Sequence, residues 1–458
     1  MTIDYDLVIL GGSAAGRNMA QRAAQRDLRV ALVDGWPEVD RLQQTAQGSH
    51  AALVQAARLA QQQAQQGWAI APRPALRDLQ TWGQQLPSSS LASLAELGVD
   101  MVAGPAEFRR RPVAVVAGGR ILRSRAYGIA TGMEDAVPQI PGIDAVPYTT
   151  VRSLWHQPLP STPIHWLIVG HRPQTVELAQ ALNGLGQSVT LITAPRLLPA
   201  EDPQIAALIA AQLEAEGIEI VLGHPEQVDG HAQACRLQVN GQIYKGDRLL
   251  VDTQQPHVRS LNLEAVGVQW TQNGIITDAH LRTTHPQIYA LGDGLGGYAL
   301  PHIAEAEAGI LLHNLCYPGK RTVPYHHIPI TIQTSPMITR IGLTEPQARQ
   351  RYGDDLWVGV NPFPSETDRT LGQTTSLVKV ILKPDGQIIG VHGVGNHADV
   401  AALAIALQHH HRFQHLALSP STALGAIAQA WQQHCRERSP WSRLQPTWLA
   451  LNRAWQRS

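Results

Sequence analysis

Cysteine is nearly missing from this chain. Its 458 residues hold three, Cys235, Cys316 and Cys435, with no close spacing. That argues against a disulfide framework and sets the expectation of a reducing, cytoplasmic setting. Each thiol is expected as a buried small hydrophobe. Net charge is missing too. The 36 Lys and Arg residues balance 36 Asp and Glu, for a formal charge of zero, so bulk electrostatics favours neither nucleic acid nor an acidic membrane as partner. Phenylalanine is scarce. No apolar run is long enough to cross a bilayer. The chain opens directly on a core strand, so no signal peptide is expected. Between Asp399 and Glu437 there is no acidic residue at all.

What is present begins almost at the first residue, in Asp6-Leu-Val-Ile-Leu-Gly11-Gly12-Ser13-Ala14-Ala15-Gly16. Leu7 to Leu10 reads as a buried strand. Gly11 permits the tight turn at its end. Gly16 lets a helix, roughly Arg17 to Gln25, approach the sheet. Backbone N–H groups at that helix start, helped by the helix dipole, hold a pyrophosphate. A second strand, Leu28 to Val33, ends in Asp34, where a dinucleotide fold puts its ribose-binding acid. Ser13 stands where the second glycine of the fingerprint belongs. Serine is small enough to leave the backbone accessible.

A chain of this length is expected to hold about two to four domains. A helix opens at Ser49-His50 and runs roughly from Ala51 to Gln66. Strands follow over Val99–Phe108 and Val113–Val116, and Tyr127-Gly-Ile-Ala130-Thr131-Gly132 is another strand running into a small-residue turn. Pro138 and Pro141-Gly142 mark a boundary. His165 to Thr193 then copies the opening unit, with Ile168-Val-Gly170 matching Ile9-Leu-Gly11. In the copy Ser13 becomes Arg172, Gly16 becomes Thr175 and Asp34 becomes Thr193. The phosphate turn has gained bulk and the ribose acid is gone. A third region contains a strand ending in Gly292-Asp293, then Leu300-Pro301-His302 and an Ala- and Glu-rich helix. Beyond Tyr325 the pattern is strands at Ile328–Gln333, Met337–Gly342, Leu377–Leu382 and Ile388–Val394, with helices at Val400–Gln408 and Leu424–Gln433.

These motifs resemble the FAD-dependent pyridine nucleotide-disulfide oxidoreductases. The carriers are Gly11 to Gly16 with Asp34, Ala130-Thr131-Gly132, Gly292-Asp293 with Pro301-His302, and Ile341-Gly-Leu-Thr-Glu345. The resemblance covers roughly residues 4 to 435. It implies an α/β fold with two dinucleotide-binding (Rossmann-like) domains and a C-terminal α+β dimerisation domain. The expected division is an FAD domain over 1–146, a degenerate NAD(P)-type domain over 147–270 and a central segment over 271–324 completing the FAD domain. A dimerisation domain over 325–435 and a Trp-rich tail over 436–458 follow. By the resemblance Gly11, Ser13, Ala14 and Gly16 hold the FAD pyrophosphate and Asp34 the adenosine ribose. Asp293 bonds the ribityl and phosphate region, and Thr131-Gly132 covers the cofactor. Gly35, Ser49, His50, Ala106, Ala130, Gly292, Ala299, Leu300, Pro301 and His302 lie along it. A homodimer is implied.

The departures carry as much information. The family passes electrons through FAD to a Cys-x4-Cys pair on the helix after Asp34, but the first cysteine here is Cys235. Arg41 and Ala46 fall near the lost positions. The family's His–Glu pair near the C-terminus has no counterpart, because the acid-free stretch covers it. Disulfide reduction needs a thiolate first, so it is not expected. The second glycine turn reads Gly170-His171-Arg172-Pro173-Gln174-Thr175, and a later turn reads Asp252-Thr253-Gln254-Gln255. Arg172 either fills the pyrophosphate site or holds phosphate by its charge. NAD(P)H binding is not expected in the family pose.

In the family a lysine at the start of the cysteine helix sits by the flavin N5 and pairs with a glutamate. Those positions are His50 and Glu177. Imidazole side chains titrate near neutrality, so the pair either relays a proton to reduced flavin or serves as a structural hydrogen bond. The run His409-His410-His411 reads as a solvated turn before a metal site. In the tail, Trp448, Leu451 and Trp455 share one helical face, for packing or for a membrane surface. Three functions stay open: a flavoprotein exchanging electrons with a quinone or small redox protein, a pseudoenzyme with structural FAD, and an NAD(P)H-dependent reductase of a non-disulfide substrate.

Overall fold

The computed structural model describes residues 3–35, 50–60, 91–156, 160, 162–231, 234–297, 300–362, 375–395, 403, 406–408, 413 and 422–438. By chain contacts it divides into two units. The first comprises Met1–Ala57, Pro72–Ala194 and Val221–Tyr325, and the second Arg58–Ala71, Pro195–Ile220 and His326–Ser458.

The first unit contains two parallel sheets. In the first sheet the order is Ile288–Ala290, Ser124–Ile129, Tyr5–Leu10, Val30–Asp34, Asp100–Ala103. Strand Tyr5–Leu10 is central because Leu7 to Leu10 are wholly buried and carry no side chain that needs water. The chain builds outward from it on one side, then returns to its other side at Ser124–Ile129. The crevice at that reversal lies between the ends of Tyr5–Leu10 and Ser124–Ile129, where doubly wound sheets take ligands. The helix Ala14–Ala24 starts three residues earlier than the sequence predicts, because Ser13 caps it. Its buried face is Gly16, Met19, Ala20 and Ala23.

The second sheet repeats the plan. Four of its strands run in the order Ser188–Thr193, His165–Val169, Arg248–Val251, Tyr148–Thr150, all parallel. The helix Pro173–Gly184 follows the central strand, with Pro173 at its first position. A three-stranded antiparallel sheet, Pro225–His231, Ala234–Val239 and Gln242–Gly246, closes over one side. It is absent from the sequence expectations.

The second unit is an antiparallel sheet in the order Ile330–Ile332, Ile338–Gly342, Ile388–Val394, Leu377–Leu382, Trp357–Asn361. The helix Thr422–Arg438 covers it with Ile427, Ala428 and Trp431, and Trp431 meets Trp357 edge-on at 5.2 Å. Cys435 lies a turn beyond Trp431, where the helix has left the core, so it is exposed. Cys316 is half-buried and only Cys235 is buried, which corrects the expectation for the other two.

A charged cluster is sealed into this unit. Asp202 caps the helix Pro203–Ala215 and is wholly buried. Its carboxylate accepts from Lys379 Nζ at 2.9 Å and from the Gln204 and Glu345 N–H groups at 3.1 Å each. Lys379 also meets Glu345 at 2.7 Å. Burial alone would push the Asp202 carboxyl up, but the bonds from Lys379 and the Glu345 N–H outweigh it and hold it low. A depressed acid stabilises the fold fully above its unfolded value, near pH 4, and loses that contribution as pH falls further. Lys379→Met is expected to cost about 3–5 kcal/mol, because it leaves a buried charge unpaired. Urea unfolding followed at Trp357 and Trp431 reads that loss; an unchanged midpoint would show the cluster to be energetically neutral.

Candidate functional site

The glycine turn is built to close contacts. Gly11 has φ +113°, and a Cβ there would enter the Ala130–Thr131 backbone. A Cβ on Gly16 would meet the Gly11 carbonyl. Ser13 does more than stay small. Its Oγ accepts from the Gly16 N–H at 3.2 Å and donates to the Ala130 carbonyl at 2.7 Å. The hydroxyl thus ties the phosphate turn to the turn at the end of the neighbouring strand. Ala14 is exposed at the helix start, where first-turn N–H groups have no partner within the helix.

Asp34 Oδ1 and Thr131 Oγ1 are among the buried polar atoms that find no partner in the described residues. Leaving a buried oxygen unpaired is costly. One lies at the end of each strand flanking the crevice's central strand. A ribose hydroxyl would satisfy Asp34, and a dinucleotide laid across the crevice would reach both. The residues present therefore fit FAD. Gly35 adjoins the Gly104 carbonyl too closely for any side chain. Ala106 and Ala130 are buried, as is Gly132.

The third strand end carries the short 3-10 turn Gly292–Leu295 with Asp293 in its first turn. Leu300 precedes the helix Pro301–Cys316, and His302 is exposed in its first turn. Ser49, Ala299, Arg41 and Ala46 lie outside the described residues, as do the side chain of Pro301, His409 to His411 and the tail Trp residues.

His50 and Glu177 do come together. His50 Nε2 lies 2.7 Å from Glu177 Oε2, and both side chains are largely buried. Glu177 projects from the helix Pro173–Gly184, and His50 begins a helix over 50–60. Trp155 meets the imidazole edge-on at 6.5 Å. An ionised carboxylate only accepts, so Nε2 carries the proton of this bond. Nδ1 has no partner among the described residues. An imidazole oriented by a carboxylate and open at its other nitrogen is arranged to hold or pass a proton.

The second glycine turn is filled by its own side chains. Thr175 Oγ1 donates to Asp252 Oδ2, and Arg172 Nη1 donates to Gln254 Oε1. Arg172 Nη1 also lies 3.9 Å from Asp252 Oδ1, whose side chain is 2% exposed. Burial lowers the pKa of His171 beside them. Asp252 and Gln254 were singled out in sequence only as a lost turn. Their role as partners of Thr175 and Arg172 depends on adjacency of two strand ends, which spacing does not reveal.

Residues 5–308 match the pyridine nucleotide-disulphide oxidoreductase family. The chain belongs to that family. Residues 328–418 match the family's dimerisation domain, and members of the family are FAD-dependent. The chain is similar to the mercuric reductase of Staphylococcus aureus, at 29% identity over 88% of this chain and 77% of that one. It is similar to the dihydrolipoyl dehydrogenase of Bacillus subtilis, at 35% identity over 52% of this chain and 53% of that one. With the Bacillus cereus mercuric reductase the match, 32% identical over 68% of this chain, spans 50% of the relative's length. Among solved structures, the HOCl-induced flavoprotein disulfide reductase RclA from Escherichia coli superposes with a TM-score of 0.79. It covers 93% of this chain and 99% of that one at 24% identity, a likeness of fold. Among the described residues no cluster of ligands suits a metal ion, and no helix is long and apolar enough to cross a membrane.

Proposed function

We propose that this chain is an FAD-dependent oxidoreductase that uses no dithiol, binds NAD(P)H weakly or not at all, and exchanges electrons with a quinone or small redox protein. Bound FAD would supply the electron store. Gly11, Ser13, Ala14 and Gly16 would hold its pyrophosphate, Asp34 its ribose, and Asp293 its ribityl–phosphate region. The observation that carries the reading is the His50–Glu177 bond at 2.7 Å, with Nδ1 unpartnered among the described residues. Proton transfer to a reduced flavin calls for an imidazole oriented in this way. The acceptor class rests on elimination. Cysteine chemistry has no residue on the helix after Asp34, and a quinone needs protons as well as electrons, which an imidazole delivers.

A pseudoenzyme is the second reading, and the self-satisfied Arg172–Asp252–Thr175 cluster favours it by closing the usual electron entrance. One preparation separates the two. Purified protein should be yellow, release FAD on denaturation and elute as a homodimer by light scattering. Its photoreduced flavin should be reoxidised by a water-soluble benzoquinone faster than free FAD. Bound FAD that outlasts every quinone and ferredoxin-like partner would establish the pseudoenzyme. A colourless monomer that takes up no FAD would overturn both readings.

A further inference from the structure

Behind the Gly292 turn sits a carboxyl that none of the preceding chemistry uses. Glu307 lies in the helix Pro301–Cys316 and is 3% exposed. Its Oε2 accepts from the Gly292 N–H at 2.6 Å, and its Oε1 from the Tyr325 hydroxyl at 2.8 Å. It therefore braces, from inside, the turn that bears Asp293. Burial pushes its pKa up to about 7; the two donors oppose this, and the Asp293 carboxylate adds to it. Burial and then the Glu307 charge raise the Tyr325 phenol as well, so Tyr325 stays a neutral hydroxyl. On the same helix Glu305 is turned toward Arg22 at 3.7 Å and His302 is exposed. The helix Ala14–Ala24, packed on this one, carries Arg22 and the buried Arg17. The charged group acting directly on Glu307 is Asp293, of its own sign.

Both protonation states of Glu307 can be satisfied in place. The carboxylate takes the two donors. The acid keeps the Gly292 N–H on Oε2, and its new O–H on Oε1 points at Tyr325, whose hydroxyl turns to accept it. Only one hydrogen has to rotate.

We propose that Glu307 takes up a proton when the pyrophosphate of a dinucleotide settles on the Gly11–Gly16 and Gly292–Asp293 turns, and releases it when the site empties. This rests on the reading that the chain binds FAD. A pyrophosphate brings negative charge to a turn that already carries Asp293 and is hydrogen-bonded to Glu307. Like charge in a desolvated place favours the neutral acid. The sign follows by linkage. Glu307 in the empty protein ionises around neutrality, whereas in the filled protein it stays protonated to higher pH. FAD affinity then falls as pH rises through that window, by at most about tenfold per pH unit for a single proton.

The test titrates FAD into apoprotein from about pH 6 to about pH 9, following flavin fluorescence, with a pH indicator in weak buffer counting protons. Wild type should take up a proton on the alkaline side of neutrality, and its Kd should rise there. Glu307→Gln, which keeps an acceptor for Gly292, should bind FAD with a flat Kd and no uptake. Tyr325→Phe removes a donor to the carboxylate and should move the window to higher pH. Infrared spectra of wild-type holoprotein and apoprotein give a readout that needs no variant. A protonated-carboxyl band should persist to higher pH in the holoprotein. FAD binding by wild type without proton uptake, or uptake that survives in Glu307→Gln, would overturn the proposal and leave the FAD reading standing. Apoprotein that binds no FAD at any pH would overturn both.

Discussion

Oxidised protein mixed with millimolar NADH or NADPH is expected to keep its flavin absorbance, bleaching slowly or not at all. The cause is the second glycine turn. A pyrophosphate needs bare backbone N–H groups at the helix start and close approach to the turn. Here Arg172 precedes Pro173, which has no N–H, and Thr175 fills the position where Gly16 lies in the first unit. Both side chains are anchored, Thr175 to Asp252 and Arg172 to Gln254. A ligand would have to break those bonds before making its own. Thr193, buried at the end of its strand, replaces the acid that would hold a ribose. Each lost hydrogen bond to a charged phosphate is worth about 1.5–3 kcal/mol. Two or three together weaken binding by several powers of ten.

The same turn dictates the rescue. Arg172→Gly, Thr175→Gly and Thr193→Glu reopen the site, but they strand Asp252, whose side chain is 2% exposed, without two partners. Asp252→Ala must accompany them, or the gain in binding is lost to a buried unpaired charge. The fourfold variant should bleach with NADH while showing no lipoamide, glutathione or mercuric-ion reduction. No cysteine precedes Cys235 in the chain, so the family's Cys-x4-Cys pair has no counterpart for that chemistry. Cys235 is buried, and burial pushes its thiol up to about 11. Stopped-flow bleaching of the unmodified protein at the rate of an ordinary family member would show that Arg172 holds phosphate by charge instead of excluding it.

Much of this was legible in the residues because short-range pattern decides it. Leu7 to Leu10, uncharged and followed by Gly11, has one way to be satisfied, as a central parallel strand. Leu377–Leu382 and Ile388–Val394 were legible from their largely apolar runs, and their predicted bounds agree with the strands observed. Ser13 is a case where pattern stops short. Its size was readable, but its bond to Ala130 joins positions far apart in sequence and depends on two strands lying side by side. Glu307 was hidden for a further reason. It sits in an Ala- and Glu-rich helix where an exposed acid is the ordinary expectation, and only packing reveals which glutamate turns inward. Trp357–Asn361 was missed because its glycine and asparagine break the alternation. The Asp202–Lys379 pair joins residues from distant parts of the chain that no periodicity connects. What local chemistry fixes is readable; what adjacency fixes is not.

Replacing His50 by glutamine should slow reoxidation of photoreduced flavin by a benzoquinone about 10²–10⁴-fold, the usual range for a lost general acid or base. Glutamine is the informative choice. Its amide can still donate to Glu177, so the buried hydrogen bond survives while the titrating nitrogen does not. His50→Ala also leaves the buried Glu177 one donor short, at a cost of about 1–3 kcal/mol, and confounds proton transfer with packing. FAD content and thermal midpoint of His50→Gln should match the parent, since nothing that holds the cofactor turns or the sheet is touched. The parent rate should change with pH and slow in deuterated water, and the glutamine variant should lose both dependences because no imidazole remains to carry the proton. Glu177→Gln gives the complementary result. It keeps His50 in place but offers an amide instead of a carboxylate at Nε2, so the imidazole loses the acceptor that orients it. Its rate should fall less than that of His50→Gln. A His50→Gln protein that reoxidises as fast as its parent would reduce the pair to a structural hydrogen bond, and the proton would then have to come from solvent.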